Sequence, residues 1–404
     1  MRRNKTLFFL YAAGVMILLL YSLHVYFLWW MYDTLMYQFV ADFVVGALGL
    51  AYMVGSKIPI HFRGKALIPF LLVWIVTAWN PLGITTIIYN CPFTLLTLLI
   101  LDKETLRSLL KIWTTMYAII LTVSLVAWPF AFAGLLPSQG IISFGDIDAY
   151  HYQNYLICLV NINIWNWDVV RFCSIFLEPG HVAMIGAFTL YANRYDFQKW
   201  TSWAILIPSL FTLSLAGYLL LAIGFLMLKV QKTSLAKSIG AIFGAIIVLG
   251  IGSYVAINYN NGDNLVNTLI FERLEYDEDK GIVGNNRTIG DTDNYFESFI
   301  SSSDFLIGLD RQKFNSYIDD ETIGGAGYKM YLLEKGLLGT LLILICYILI
   351  SKFGIDKRFV RLFLLFYIIA FFQRAWPATH IWLYLFIFAT AVEGMKKTPS
   401  LKYN

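Results

Sequence analysis

The chain has 404 residues, of which 58% are hydrophobic and 14% charged, with a mean hydropathy of +0.65 and a formal net charge of +4. Soluble domains are about 45–50% apolar, so a large soluble domain is excluded and no nucleic-acid partner is expected. Apolar runs of the roughly 20 residues that a spanning helix needs recur along almost the whole length. They define an all-α, polytopic integral membrane protein with about 12 transmembrane helices.

In chain order, breaks at polar clusters place spans near 7–30, 37–55, 66–80, 84–101, 112–135, 181–193, 201–215, 216–228, 238–257, 327–351, 359–373 and 381–395. The first run, Leu7 to Trp30, follows Arg2, Arg3 and Lys5. It lacks a small-residue cleavage site and exceeds a signal-peptide core, so it reads as a retained span. Asp42 falls inside the second span, where a carboxylate either relays protons or ions or is held by a partner. Strict alternation puts seven basic clusters on one face: Arg2/Arg3/Lys5, Lys57/Arg63/Lys65, Lys103/Arg107/Lys111, Arg194/Lys199, Lys229/Lys232/Lys237, Lys352/Lys357/Arg358/Arg361 and Lys396/Lys397/Lys402. They hold 21 of the 30 Lys and Arg residues. An excess of Lys and Arg marks the cytoplasmic side, so both termini are expected there.

Two long segments remain on the outer face, within what reads as a single membrane-embedded domain over 1–404. The first, about 137–180, is rich in aromatics (Tyr150, Tyr152, Tyr155, Trp165, Trp167), which favour the headgroup level. The second, about 258–326, carries 14 acids against five bases (Arg273, Lys280, Arg287, Arg311, Lys313), and its glycines suggest turns between short helices. The spacing of Tyr295, Phe296, Phe299 and Ile300 predicts an amphipathic helix over 293–307.

The stretch from Arg171 to His181, RFCSIFLEPGH, carries the densest chemistry. It sets a cation, a carboxylate and an imidazole just ahead of an apolar helix, the makings of an acid/base and anion-binding site. The plainer alternative has Arg171 snorkelling to headgroups and Glu178 capping the next helix. Cys158 and Cys173 share the first outer segment and would pair only in an oxidising compartment. No Cys/His spacing suits zinc. The DxD triplets beginning at Asp146, Asp277 and Asp291 arise easily in an acidic loop, so no metal is expected. There is no Walker or Rossmann glycine pattern, and no cofactor is expected.

Four features resemble the bacterial O-antigen polymerase and ligase superfamily, membrane glycosyltransferases with a GT-C-like helical architecture. They are Phe176-Leu177-Glu178-Pro179 after an outer-face arginine, and the break Leu213-Ser214-Leu215-Ala216-Gly217 between two short apolar segments. Next come Arg287, an aromatic helix and then Phe305-Leu306-Ile307-Gly308-Leu309-Asp310, and finally Tyr331-Leu332-Leu333-Glu334-Lys335-Gly336-Leu337-Leu338-Gly339 opening a span. Lipopolysaccharide ligases of this superfamily place a histidine about eleven residues before the glycine matching Gly336. Gly325 stands there in this chain, which tilts the resemblance toward a repeat-unit polymerase.

The resemblance implies an enzyme of the bacterial inner membrane that joins polyprenyl-pyrophosphate-linked oligosaccharides, donor and acceptor, on the periplasmic or exterior face. Membrane lipid, a flippase and a chain-length regulator are the further partners it implies. A departing pyrophosphate develops charge that guanidinium groups match bidentately, so Arg171 and Arg287 are the expected cations. Glu178 is the candidate for orienting the acceptor with partial base character, and His181 is the runner-up base. Arg374 and His380, in RAWPATH, and Arg311 are substrate-binding candidates. A ligase moving finished glycan, and a transporter or flippase of lipid-linked sugar, are the alternatives.

Overall fold

The computed structural model describes residues 3–58, 64–80, 83–145, 150–162, 171–232, 254, 258–262, 267, 276–277, 281–282, 288–320, 323–325 and 327–394. The protein is mostly helical, 71% helix against 5% strand. In chain order the helices are α1 (Lys5–Tyr21), α2 (Leu35–Gly55), α3 (Gly64–Thr77), α4 (Ile84–Tyr89), α5 (Phe93–Ile100), α6 (Lys103–Phe132), α7 (Pro179–Ala192), α8 (Trp200–Phe211) and α9 (Leu215–Lys232). They continue with α10 (Thr292–Ile300), α11 (Asp304–Ile307), α12 (Arg311–Asp319), α13 (Tyr328–Ser351), α14 (Lys357–Gln373) and α15 (His380–Ala389). Among the described residues, α2, α6 and α13 are long and apolar enough to cross a membrane, and six further apolar helices are shorter.

Two expected spans differ in form. The run 7–30 stays helical only to Tyr21. Beyond it His24 turns left-handed (φ 52°), Val25 forms a bridge to Phe176, and Tyr26–Tyr32 winds into a 3-10 helix. The run 84–101 splits into α4 and α5 around Cys91-Pro92, because proline brings no N–H to a continuing helix and pushes the residue before it out of α geometry. The expected span 238–257 lies almost wholly outside the described residues.

A helix apolar all round is either buried or faces lipid, and both kinds are present. Every residue of α7 from Gly180 to Ala192 is buried, as is α15 from Ile381 to Ala389. These two form the centre, packed together and flanked by α6, α8, α9 and α14. By contrast α2 turns Val40, Phe43, Val44 and Val54 outward at 49–67% exposure. Apolar area left exposed on this scale marks contact with lipid rather than water. Close approach to the central helix needs small residues. A Cβ on Gly217 would lie 2.2 Å from the Ala183 Cβ, so this glycine lets α9 touch α7 directly. The Leu213–Gly217 break supplies it, with Leu213 left-handed at φ 49°.

Basic residues of three clusters, Arg3, Lys103 with Arg107, and Arg194, are held at one end. Arg3 pairs with Asp102 at 3.0 Å and Glu104 at 2.7 Å, Arg107 with Glu393 at 2.7 Å, and Arg194 with Asp356 at 2.8 Å. Lys103 Nζ donates to the Thr390 hydroxyl at 2.8 Å. The partners Asp102, Glu104, Asp356, Thr390 and Glu393 lie at or just beyond helix ends, so this end is a collar of loops and caps rather than a core.

The opposite end contains the described parts of the two long segments 137–180 and 258–326. The first folds into a three-stranded antiparallel sheet, β1 (Ile141–Ser143), β2 (His151–Asn154) and β3 (Leu159–Asn161), so the all-α expectation omits a small sheet. The second contains β4 (Tyr276–Asp277) paired with β5 (Gly281–Ile282), β6 (Thr288–Gly290) paired with β7 (Ile323–Gly325), and α10 to α12. The expected helix over 293–307 breaks at Ser301–Ser303 into α10 and α11; Phe296 and Phe299 are buried while Ile300 points outward. Trp79 Nε1 donates to Ile307 O at 2.6 Å and Asn80 Nδ2 to Leu309 O at 3.0 Å, fastening this segment to the end of α3. Cys158 and Cys173 are both free and buried, in separate apolar clusters.

Candidate active site at the start of α7

Residues 172–177 run as a buried segment between the small sheet and the helical body, turning at Ser174-Ile175, where Ser174 is left-handed (φ 58°) and Phe176 N–H donates to Cys173 O at 3.1 Å. Its backbone is held on several sides. Phe172 N–H donates to Phe211 O at 3.2 Å, Tyr26 N–H to Ile175 O at 3.2 Å, and Leu159 N–H to Ser174 O at 2.7 Å; the Tyr152 hydroxyl donates to Leu177 O. Pro179 then opens α7, its missing N–H costing nothing at a helix start. Glu178 occupies the N-cap with extended backbone (φ −138°, ψ 140°), yet its side chain makes no capping hydrogen bond. The capping alternative is therefore not realised, and the carboxylate is directed to other partners.

Those partners come from distant parts of the chain. Arg374 Nη2 donates to Glu178 Oε2, the Tyr150 hydroxyl donates to Oε1 at 2.7 Å, and His181 Nε2 stands 4.0 Å from Oε2. The Arg374 guanidinium lies over the Trp376 ring at 5.1 Å, and the His181 ring meets Trp376 edge-on at 4.3 Å. His24 lies 5.7 Å from His181 between ring centroids. A Cβ on Gly180 would come within 2.8 Å of Arg374 Nη2, so glycine lets the guanidinium lie over the first turn of α7. Arg171 Nε donates to Thr212 O at 2.9 Å, and its charge is felt at this cluster through Glu178 and Arg374.

The electrostatics follow from burial and pairing. Burial alone would raise the Glu178 carboxyl, but the Arg374 guanidinium, the His181 ring and hydrogen bonds from Arg374 and Tyr150 outweigh it and hold the group well below the usual carboxylate range. Burial pushes the His24 imidazole down to about 4, Glu178 opposing and Arg374 assisting. Burial and then Glu178 push the Tyr150 phenol up, which keeps it a donor. Burial also lowers the Arg171 guanidinium, against the pull of Glu178; an arginine remains protonated regardless. Among the described residues, Arg374 Nε and Nη1 are buried and have no hydrogen-bond partner, on a side chain whose residue is only 8% exposed.

Four of the expected site residues, Arg171, Glu178, His181 and Arg374, thus come together. Arg287 lies outside the described residues. His380 has different company: its Nε2 sits 3.3 Å from Asp42 Oδ1, an oxygen that also accepts from the Tyr384 hydroxyl at 3.3 Å, while Thr94 N–H donates to Oδ2 at 2.9 Å. The intramembrane Asp42 is therefore a held group, tying α2 to α5 and α15. Arg311 pairs with Glu334, which also pairs with Lys335 at 3.0 Å. This second charged cluster lies where the Gly308 and Gly336 motifs meet. Asp146 and Asp148 lie outside the described residues; Asp291 accepts from Asn294 and Asp293 from Lys329. Among the described residues no acid, His or Cys cluster suits a metal ion.

Sequence reasoning did not find His24 or Trp376 and treated Tyr150 only as an interfacial aromatic. Trp376 sits inside the RAWPATH segment already marked for Arg374, which was the available signal. Chemically, one guanidinium and an imidazole share one carboxylate, with a second guanidinium, Arg171, acting on it at longer range, which leaves buried donor capacity for a further anion. Comparison with protein-family models, with curated proteins and with solved structures finds no match.

Proposed function

We propose that this chain is a membrane glycosyltransferase, a surface-polysaccharide repeat-unit polymerase acting on polyprenyl-pyrophosphate-linked oligosaccharides at the outer face of a bacterial inner membrane. The observation that carries the reading is the Glu178–Arg374 pair, with Arg374 donors left open and Arg171 close by. About 12 spans with both termini cytoplasmic fit the gathering of basic clusters at the end away from this pair.

In this reading the acceptor sugar hydroxyl attacks the anomeric carbon of the growing chain while the bond from that carbon to the pyrophosphate oxygen breaks. Arg171 and Arg374 stabilise the charge that builds on the leaving pyrophosphate, the kind of preorganised interaction that commonly gives the largest catalytic contribution. Glu178 is too weak a base to take the hydroxyl proton at neutral pH; it aims Arg374 and accepts from Tyr150. The proton falls to an imidazole, with His181 the nearer to Glu178. This revises the expected role of Glu178 from partial base to positioning residue.

The deciding experiment incubates the purified full-length protein with lipid-linked repeat units. A ladder of glycan lengths on the lipid supports the reading. Transfer of glycan only to a non-repeat acceptor replaces it with a ligase, and movement of lipid-linked sugar across vesicles without new bonds replaces it with a flippase.

A further inference from the structure

Six residues, Arg374 to Thr379, join α14 to α15, and their backbone is tied down along its length. Arg374 N–H donates to Ala370 O at 3.0 Å, Trp376 N–H to Arg374 O at 3.2 Å and Thr379 N–H to Trp376 O at 3.1 Å. The Tyr347 hydroxyl of α13 donates to Pro377 O at 2.7 Å. Ile381 N–H, in the first turn of α15, donates to Ser22 Oγ at 3.0 Å, just past the end of α1. The loop so fixed delivers one side chain, Arg374, to Glu178 at the start of α7.

A further tether comes from the interior of an apolar helix. His380 opens α15, and its Nε2 stands 3.3 Å from Oδ1 of Asp42, a side chain on α2 that is only 6% exposed. Tyr384, one turn further along α15, donates its hydroxyl to the same oxygen at 3.3 Å, while Thr94 N–H donates to Oδ2 at 2.9 Å. Two consecutive turns of α15 therefore grip one carboxylate. Tyr21 and Tyr384 meet the His380 ring edge-on at 6.2 and 5.3 Å, which holds its orientation. A buried carboxylate is costly to keep unless it is partnered, and hydrogen bonds to an ionised group are roughly twice as strong as neutral ones. The Tyr347 and Ser22 tethers are neutral, so Asp42 is the firmest hold on the start of α15. Arg374 and His380 thus stand at the two ends of one short loop, each against an acid from a different helix.

We propose that the Asp42–His380 pair positions the Arg374 guanidinium against Glu178, acting through the loop 374–379. Asp42 and His380 are positioning residues here and touch no substrate. The proposal rests on the polymerase reading only for the reaction that suffers when the pair is broken; the coupling between the two acids stands apart from it. It also separates the two roles open to a carboxylate inside an apolar helix. A held group transmits geometry, whereas a relay transmits protons.

Two substitutions at position 380 of the full-length protein tell these roles apart. His380→Gln keeps an N–H donor for Asp42 but cannot titrate, and His380→Ala removes the tether. In the ladder assay kcat should stay near wild type in His380→Gln and fall at least roughly tenfold in His380→Ala, with KM little changed. A misplacement of about 1 Å at a reacting group costs up to roughly 10²-fold. Equal loss in both variants overturns the proposal in favour of a relay, and wild-type kcat in both overturns it outright. Ser22→Ala, which frees the same helix start through Ile381 N–H, takes the place of His380→Ala in both measurements if that variant does not fold. The second measurement needs no activity: unfolding midpoints of His380→Ala, Glu178→Gln and the double variant. Sites that share no partners usually add. A double variant shifted by clearly less than the sum supports the coupling, and additive shifts overturn it. No ladder from wild type, with midpoints that fail to add, rejects the polymerase and keeps the coupling. A wild-type ladder with additive midpoints does the reverse.

Discussion

The two ends of the molecule handle charge in opposite ways. At the basic end Arg3 meets two carboxylates, Arg107 meets Glu393 and Arg194 meets Asp356. Most of these groups are partly exposed, and each cation has at least one acid of its own. In the cluster at the start of α7 a single carboxylate, Glu178, pairs with Arg374, stands 4.0 Å from the His181 ring and is felt by Arg171 at longer range. Water does little of the compensating there. A charge balanced locally holds a fold together, whereas an excess of buried cation over anion is a standing demand for another anion. The comparison separates arginines that close the structure from arginines that wait for a ligand.

The largest effect that would break this contrast is on stability. Glu178→Gln leaves Arg374 buried without its counter-charge and should cost about 3–5 kcal/mol, read as a lowered unfolding midpoint in detergent. The pair is only 21% and 9% exposed, so solvent offers little relief. An unfolding midpoint equal to wild type would mean that the cluster is wet and the contrast false. Arg374→Lys keeps the charge but loses the planar fork. Turnover in the ladder assay should fall by roughly 10²-fold while the folded fraction stays near wild type; unchanged turnover would return Arg374 to a structural role.

Protonation sharpens the same comparison. His24 is lowered to about 4 from its ordinary 6.5, so the unfolded chain binds more protons between those values. The stability that depends on a neutral His24 should be complete above pH 6.5 and be lost as pH falls toward 4, and His24→Phe should flatten that slope. Glu178 acts in a lower window: its pairing is fully present above the ordinary carboxylate value of about 4.3 and fades only at more acid pH. Activity should therefore show no acid limb from Glu178 between pH 5 and 8. Such a limb, abolished in Glu178→Gln, would restore Glu178 as the base. The smallest effect is expected at the basic end. Glu393→Gln breaks a pair 40% and 59% exposed and should shift stability by about 1 kcal/mol or less.

Much of the helical plan was legible because lipid and core both demand apolar residues. The expected 37–55, 327–351 and 359–373 lie within two residues of α2, α13 and α14 at every boundary. The first span was misjudged because Tyr26-Phe27-Leu28-Trp29-Trp30 is as apolar as a helix, while what stops the helix is a tertiary bridge from Val25 to Phe176. The sheet of the segment 137–180 was illegible because strands of three or four residues are too short to show an alternating pattern. For the site, Arg171, Glu178 and His181 were visible as neighbours in sequence. Their pairing with Arg374, 196 residues after Glu178, was not, since nothing local to either residue specifies the other. Tyr150 and His24 escaped for the same reason.

One feature of the end away from the basic residues bears on how such chains diverge. Gly336 breaks α13 at φ 64°, Gly308 sits opposite at φ 90°, and a Cβ on either would press within 2.4–2.6 Å of the other strand's backbone. Leu309 N–H takes the Leu333 carbonyl at 2.8 Å, a carbonyl that an unbroken helix would have used itself. The loop and the helix thus share one backbone ledger, and neither can be altered alone. Across related sequences, insertions and deletions are expected to accumulate in the stretch before α10 while the two glycines persist together. A chain that has lost one should have lost the other and straightened its helix, leaving paired absence as the historical trace of the contact.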